Sequence, residues 1–304
     1  MLKSLSILLP SYNNDCRPLI SALHCQAEAL GDKLSSYEIV VYDDCSTDTA
    51  KAEANRQLCE CLTHCRFVRG NHNVGRSAAR NRLVELAQYE WLVFIDSDLS
   101  PLPADFLAVY AEADSLGAEA VVGGLKIHAP TDTESRSCLR YLYELHATQS
   151  HPLSWRKRNP YAAFHVSNIL IRRDVMKAHP FDETITRYGY EDVLLGRALK
   201  DNGIRVAHAD NPVEFSRFDD NAHFLLKTEE GLQTLHDMRD ALRGYSGVQT
   251  LVERLSRLGL APLLRLAFRI TREMLLQNLT GGKPSLTAFS VYRIGYYAML
   301  CRND

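Results

Sequence analysis

No run of about 18 uncharged apolar residues occurs in the 304-residue chain, so no transmembrane span is expected. An excess of charge of either sign is also missing. Lys and Arg number 35 against 37 Asp and Glu, and the formal net charge of -2 gives no electrostatic footprint for nucleic acid. No secretory signal opens the sequence, so the eight cysteines are expected to be reduced thiols of a cytoplasmic protein. Among them Cys59, Cys61 and Cys65, with His64, lack the spacing of a zinc knuckle or ribbon. Finally, Pro10 to Asp15 (PSYNND) contains neither Gly nor Lys, so the first strand is not followed by a glycine-rich, basic triphosphate loop.

What is present is enough apolar material, 46% of residues, for a sizeable core. The chain is organised around Trp91 to Leu99 (WLVFIDSDL). Five consecutive apolar residues, Trp91 to Ile95, read as a strand covered on both faces of a parallel sheet. It stops at Asp96-Ser97-Asp98, and open α/β sheets bind ligands at the carboxyl ends of their strands. Two neighbouring carboxylates there repel unless neutralised, which a divalent cation achieves while leaving positions for phosphate oxygens. The alternative for the same residues is a helix entry, because Asp98-Leu-Ser100-Pro101 also resembles an N-cap followed by proline.

Other segments alternate strand and helix, which predicts right-handed crossovers and a mostly parallel sheet flanked by helices. Strands are expected over residues 5–9, 37–42, 66–69, 91–95, 120–124 and 162–171. Helices are expected through Leu19, Leu23 and Leu30 to a stop at Gly31, after a Ser46 or Thr47 cap, from Arg76, and over 103–116 and 134–149. Residues 154–160 (SWRKRNP) read as a basic, aromatic loop. Glu191 and Asp192 occupy the first turn of another helix, where acids also simply complement the helix dipole.

Together these stretches resemble glycosyltransferase family 2, inverting enzymes of the GT-A fold, over roughly residues 5 to 215. The likeness lies in Pro10-Ser11-Tyr12-Asn13, Asp43-Asp44-x-Ser46-x-Asp48, Asn73-x-Gly75-x-Ser77-x-Ala79-Arg80-Asn81, Asp96-Ser97-Asp98 and Glu191-Asp192, in the family's order. The resemblance implies a hexosyltransferase-type enzyme that moves a sugar from a nucleotide donor, a UDP-sugar, to a hydroxyl of a glycan or lipid-linked oligosaccharide in cell-surface polysaccharide or lipopolysaccharide synthesis. By the same resemblance Asp44, with Asp43 beside it, would bind the uracil edge, and Pro10 and Tyr12 would wall the base. Arg76 and Arg80 are candidates for the diphosphate. Asp96 would reach the ribose or a metal-bound water, and Asp98 would bind Mn²⁺ or Mg²⁺, whose positive charge stabilises the leaving diphosphate. Asp192 would be the general base and Glu191 a partner of substrate hydroxyls. Where many members carry a further metal-binding His, this chain has Phe215; His208 is the nearby candidate ligand, or else a strand histidine. Two other readings compete: a sugar nucleotidyltransferase, disfavoured by PSYNND, and a scaffold with a decayed site, disfavoured by the intact acids.

A catalytic domain is accordingly expected over 1–221 and a helical extension over 222–304. From Gly244 onward there are eight Lys or Arg and three acids. Arg265, Arg269 and Arg272 fall at i, i+4 and i+7 beside an apolar stripe, the pattern of a basic amphipathic helix. Two uses fit it: docking on an anionic membrane face, making the enzyme peripheral, or packing onto the core or a second subunit.

Overall fold

The computed structural model describes residues 2–99, 102–130, 132 and 137–303. The chain divides into two compact units. The first comprises Met1–His128, His151–Thr186 and Leu195–Ser216. It contains strands β1 (Ser4–Ser11), β2 (Ser36–Asp43), β3 (Cys65–Arg69), β4 (Trp91–Ile95), β5 (Ala120–Val122), β6 (Leu125–Ile127), β7 (Asn168–Arg172), β8 (Val206–His208) and β9 (Val213–Phe215). Its early helices are α1 (Arg17–Leu30), α2 (Thr49–Cys61), α3 (Arg76–Leu86) and α4 (Phe106–Ala111). Seven strands form one sheet in the order β3-β2-β1-β4-β7-β5-β8, and β6 pairs with β9.

Every pairing in the large sheet is parallel except those of β7, which runs antiparallel to both β4 and β5. The apolar run of β4 is buried on both sides: Val93 and Ile95 join Leu5, Ile7 and Leu9 in one core, and Leu92 and Phe94 join Leu8 and Val40 in the other. Full burial of each such side chain contributes about 1.5–3 kcal/mol. Leu19, Ile20 and Leu23 of α1 cover the first face, and Ala79, Leu83 and Val84 of α3 the second. Small residues at the start of α3 let it lie close to the strands, with Ser77, Ala78 and Ala79 all buried.

Several local expectations change in the folded chain. Asp48, not Ser46 or Thr47, caps α2, its carboxylate accepting from Lys51 N. The Ser46 hydroxyl is instead committed to Asp43. The expected loop at 154–160 is largely helical, as α6 (Leu153–Arg158) entered through extended Pro152. The expected strand from 162 pairs only from Asn168, because Ala162 and Ala163 turn back to the Asn159 carbonyl. The helix expected over 103–116 is reduced to α4 and a 3₁₀ turn, Ala113–Leu116. Ser100 and Pro101, which carry the helix-entry reading, and residues 134–136, the start of another expected helix, lie outside the described residues.

The second unit, Ala129–Ser150, Arg187–Leu194 and Arg217–Asp304, is helical. It holds α5 (Leu139–Ser150), α9 (Asn221–Asp237), α10 (Gly247–Arg257), α11 (Ala261–Thr280) and α12 (Leu286–Leu300). The intervening α7 (Arg173–Ala178) belongs to the first unit, and α8 (Glu191–Asp201) begins among second-unit residues and continues into the first. Phe224, Leu225, Phe268, Leu275, Leu279, Phe289 and Tyr292 form one helical core, and Leu232, Leu235, Leu242, Val252 and Tyr297 another. Among the described residues no helix is long and apolar enough to cross a membrane.

Candidate active site

Parallel pairing brings the carboxyl ends of β1, β2 and β4 to one edge, with Ser11 opposite Asp43. Asp43 is buried there; it accepts from the Ser46 amide at 3.1 Å and the Ser46 hydroxyl, and Arg69 approaches it at 3.4 Å. Asp44, also buried, accepts from the amides of Val74 at 2.8 Å and Gly75 at 2.9 Å. The acid pair therefore anchors two loops and shapes the wall at the end of β2. Gly75 has φ +86, a conformation that favours glycine, and its amide sits at the start of α3.

The loop after β1 is tied to the same wall. Asn13 donates its amide to Ser46 Oγ at 2.8 Å and accepts from the Asp48 amide at 2.8 Å. Asn14 donates to Ser97 Oγ at 2.9 Å, joining the β1 loop to the middle of the Asp-Ser-Asp turn. Asn55, buried on α2, donates to the Asn14 carbonyl at 2.8 Å and accepts from the Cys16 amide at 2.9 Å. Sequence reasoning missed Asn55, although a polar residue on the apolar side of a helix is a readable signal. Tyr12 stands exposed at this edge and Pro10 is partly buried.

Asp96 follows β4, with its amide donating to the Ser167 carbonyl at 3.0 Å. Its carboxylate receives Arg80 Nη2 at 2.9 Å. Burial opposes the Asp96 charge, but Arg80, the Ser167 hydrogen bond and the field of Arg76 outweigh it and hold the carboxyl below the usual range. Arg80 is itself buried, with its guanidinium 5.6 Å from the Phe181 ring centroid. It thus lies beside an acid, whereas the sequence offered it to a diphosphate. Asp98 is half-buried one residue past Ser97.

His208 spends both ring nitrogens away from any metal: Nδ1 faces Arg156 Nη1 at 3.2 Å and Nε2 faces the Pro160 carbonyl at 3.0 Å. Burial, together with Arg156, lowers its pKa although the Pro160 contact works the other way. Phe215 lies in β9 opposite Ile127 and packs on the first core. Among the described residues no group of three or more His, Cys, Asp or Glu is arranged to hold a metal. Asp96 and Asp98 are a two-carboxylate donor set, which suits a hard cation that completes its shell with water and substrate phosphates.

Glu191 and Asp192 open α8 and are grouped with the second unit. Glu191 is buried. They follow a sharp reversal in which Gly189 has φ +91 and Tyr190 φ +70, the latter an unusual conformation for an aromatic residue. The Tyr188 carbonyl accepts from the Thr234 hydroxyl at 3.1 Å, and the Leu194 amide closes the first helical turn on the Tyr190 carbonyl.

Residues 6–179 match the family model described as Glycosyl transferase family 2. Over 96 residues the chain is 32% identical to the uncharacterized glycosyltransferase YibD of Escherichia coli K12, a match covering 31% of this chain and 26% of the relative. The fold is similar to that of Staphylococcus aureus TarS 1-349 in complex with UDP-GlcNAc, with a TM-score of 0.53 at 17% identity over 98% of this chain and 90% of that one. It is also similar to the mannosyltransferase PcManGT of Pyrobaculum calidifontis in complex with GDP-Man and Mn²⁺, with a TM-score of 0.58 at 14% identity over 97% and 85% of the two chains.

Proposed function

Since the chain belongs to glycosyltransferase family 2, and is a transferase of GT-A-like fold, we propose that it is an inverting, metal-assisted enzyme transferring a hexose from a UDP-sugar to a hydroxyl of a glycan or lipid-linked oligosaccharide. The observation that carries this reading is the carboxyl edge of β4, where Arg80 keeps Asp96 ionised beside Asp98. The complexes of TarS with UDP-GlcNAc and of PcManGT with GDP-Man and Mn²⁺ support a nucleotide-sugar donor and a divalent ion. Asp98, with Asp96, would hold Mn²⁺ or Mg²⁺, which when bound supplies positive charge for the leaving diphosphate.

The remaining work falls to side chains. Pro10, Tyr12 and the wall held by Asp43 and Asp44 bind the base, Asp44 offering its edge the lone pairs that the Val74 and Gly75 amides leave over. Arg76 adds positive charge at the diphosphate. Asp192 takes the proton of the attacking hydroxyl as the new C–O bond forms at the anomeric carbon. The old bond breaks on the opposite face, and its electron pair leaves with the nucleoside diphosphate, so one displacement inverts the centre. Glu191 orients a substrate hydroxyl. We assign this chemistry to residues 1–221 and a docking role, on the cytoplasmic face of a membrane where polysaccharide or lipopolysaccharide is assembled, to 222–304.

A thermal-shift panel of UDP, GDP and their sugars, with and without Mn²⁺, tests the donor and metal together. Stabilisation by UDP or a UDP-sugar that requires Mn²⁺ and is lost in Asp98→Ala is the expected result. A Mn²⁺-independent shift retained in Asp98→Ala would remove the metal role, and silence toward every nucleotide would remove the donor.

A further inference from the structure

The edge continues beyond Asp96 to a cation that the reaction described above does not use. Ile95 lies opposite Asn168 of β7, and the Gly123 amide donates to the Asn168 carbonyl from the other side at 3.1 Å. β5 pairs with β7 as far as Val122 opposite Ile169, and Gly124 follows two residues on, beyond the Gly123–Asn168 hydrogen bond. Strands lie about 4.8 Å apart, so Gly124, two residues past β5 and two strands over, stands about 10 Å from the β4 end, the reach of a phosphate and the sugar it carries.

Arg156 occupies that place. Its guanidinium lies against Gly124 so closely that a Cβ there would fall 2.8 Å from Nη1 and Nη2 and 2.9 Å from Cζ, and φ of +99 at Gly124 further disfavours any side chain. His208 fixes the guanidinium from the side. With Nε2–H donating to the Pro160 carbonyl, Nδ1 is left as the acceptor for Arg156 Nη1, so the neighbour of the cation is a neutral imidazole. Among the described residues no carboxylate lies within ion-pair distance of Arg156, and its half-burial outweighs the longer-range attraction of Asp210. His165 stands three residues before β7, the strand between β4 and β5, within the electrostatic reach of Asp96, Arg156 and His208, and its Nδ1 is buried without a hydrogen-bond partner.

A seated, half-desolvated guanidinium with a neutral prop has the fork geometry that carboxylates and phosphates match. We infer that Arg156, held over Gly124 by His208, receives an anionic group, carboxylate or phosphate, carried by the substrate about a sugar's length from the donor phosphates. The inference rests on the donor reading above for its placement. The anion has two sources, the transferred sugar itself or the acceptor.

Calorimetric titration of the full chain in Mn²⁺ separates them. Wild type, Arg156→Gln and Arg156→Lys are titrated with UDP, UDP-glucose and UDP-glucuronic acid, and, once saturated with UDP, with glucose and glucose 6-phosphate. UDP should bind all three proteins within twofold. At least a tenfold preference for UDP-glucuronic acid over UDP-glucose places the anion on the donor; the same preference for glucose 6-phosphate over glucose places it on the acceptor. Either preference should collapse to within twofold in Arg156→Gln and survive in part in Arg156→Lys. A role confined to packing would move melting temperatures and not these ratios. If Arg156→Gln does not fold, the Lys variant decides alone, through a loss of about threefold or more in the preference.

UDP binding with no anion preference on either arm, or a preference indifferent to Arg156, overturns the inference and leaves the donor reading standing. Glucose 6-phosphate binding that needs Arg156 in a protein that ignores UDP keeps the anion seat and overturns the donor reading instead. Silence on every arm overturns both.

Discussion

Arg80 and Asp96 show how much of a site is decided one side chain at a time. Both occur in recognisable motifs, yet only the packing of α3 under β4 joins them at 2.9 Å and keeps the acid charged. His165 makes the opposite case, a titratable ring kept neutral. Burial, then Arg156 and His208, lower its pKa from 6.5 to about 4, against the pull of Asp96. The unfolded chain therefore binds a proton near pH 6.5 that the folded chain refuses until about pH 4. Stability from this group is complete above the unfolded value and declines as pH falls through that window. His208, shifted in the same direction, adds to the decline. Melting temperatures measured from pH 7 to 4 should fall for wild type and fall less steeply for His165→Gln; identical slopes would show that the imidazole is not kept neutral by the fold. Nothing in AAFHVSNILI marked His165, because Asp96 and His208 are remote in sequence and Arg156, nine residues earlier, acts on it only through the fold.

At the level of elements, most strands and helices were legible because apolar period and punctuation agree. The β4 run, the Gly31 stop at φ +47 and the small-residue start of α3 all describe local chemistry. The segment 154–171 departs from its sequence pattern for a physical reason: β7 enters the sheet antiparallel at the ligand edge, so the chain must coil there first, and α6 takes up that path. Helix–helix approach was equally hidden. Gly295 lies inside α12, where glycine is normally a weakness, but a Cβ at that position would stand 2.2 Å from the Phe268 ring of α11. Gly295→Ala should destabilise the protein by about 1–3 kcal/mol through overpacking despite the gain in helix propensity. Urea denaturation reads the loss, and Phe268→Leu in the same chain should recover part of it. A neutral or stabilising Gly295→Ala would mean the two helices are not packed this closely.

At the scale of the whole molecule, α11 presents a second apolar face opposite its buried one. Phe268, Leu275 and Leu279 are buried, whereas Leu263, Leu266, Ile270 and Met274 are 63%, 53%, 74% and 64% exposed. Arg269 and Arg272 are exposed on the same helix. Four large apolar side chains beside arginines match an anionic bilayer surface better than water. Co-sedimentation with phosphatidylglycerol vesicles, weak with phosphatidylcholine and reduced by salt, is the expected behaviour. Ile270→Glu with Leu263→Glu should abolish it while leaving nucleotide-induced stabilisation in place. Vesicle binding that survives both changes would place the docking surface elsewhere, and a concentration-dependent dimer lost in the double variant would assign the face to a second copy.

The sequence by itself determined the family, the mostly parallel sheet, the acids at the strand ends and the basic helical tail, because each is written in residues adjacent along the chain or at a fixed helical period. Tertiary structure alone decided what those residues do to one another. It turned Arg80 onto Asp96, used Asp43 and Asp44 to pin neighbouring loops, and committed both nitrogens of His208 to Arg156 and Pro160. It also seated Arg156 on Gly124, a pairing across 32 positions that no local pattern encodes. Contacts of this kind follow from strand order and register, and a one-dimensional reading has access to neither.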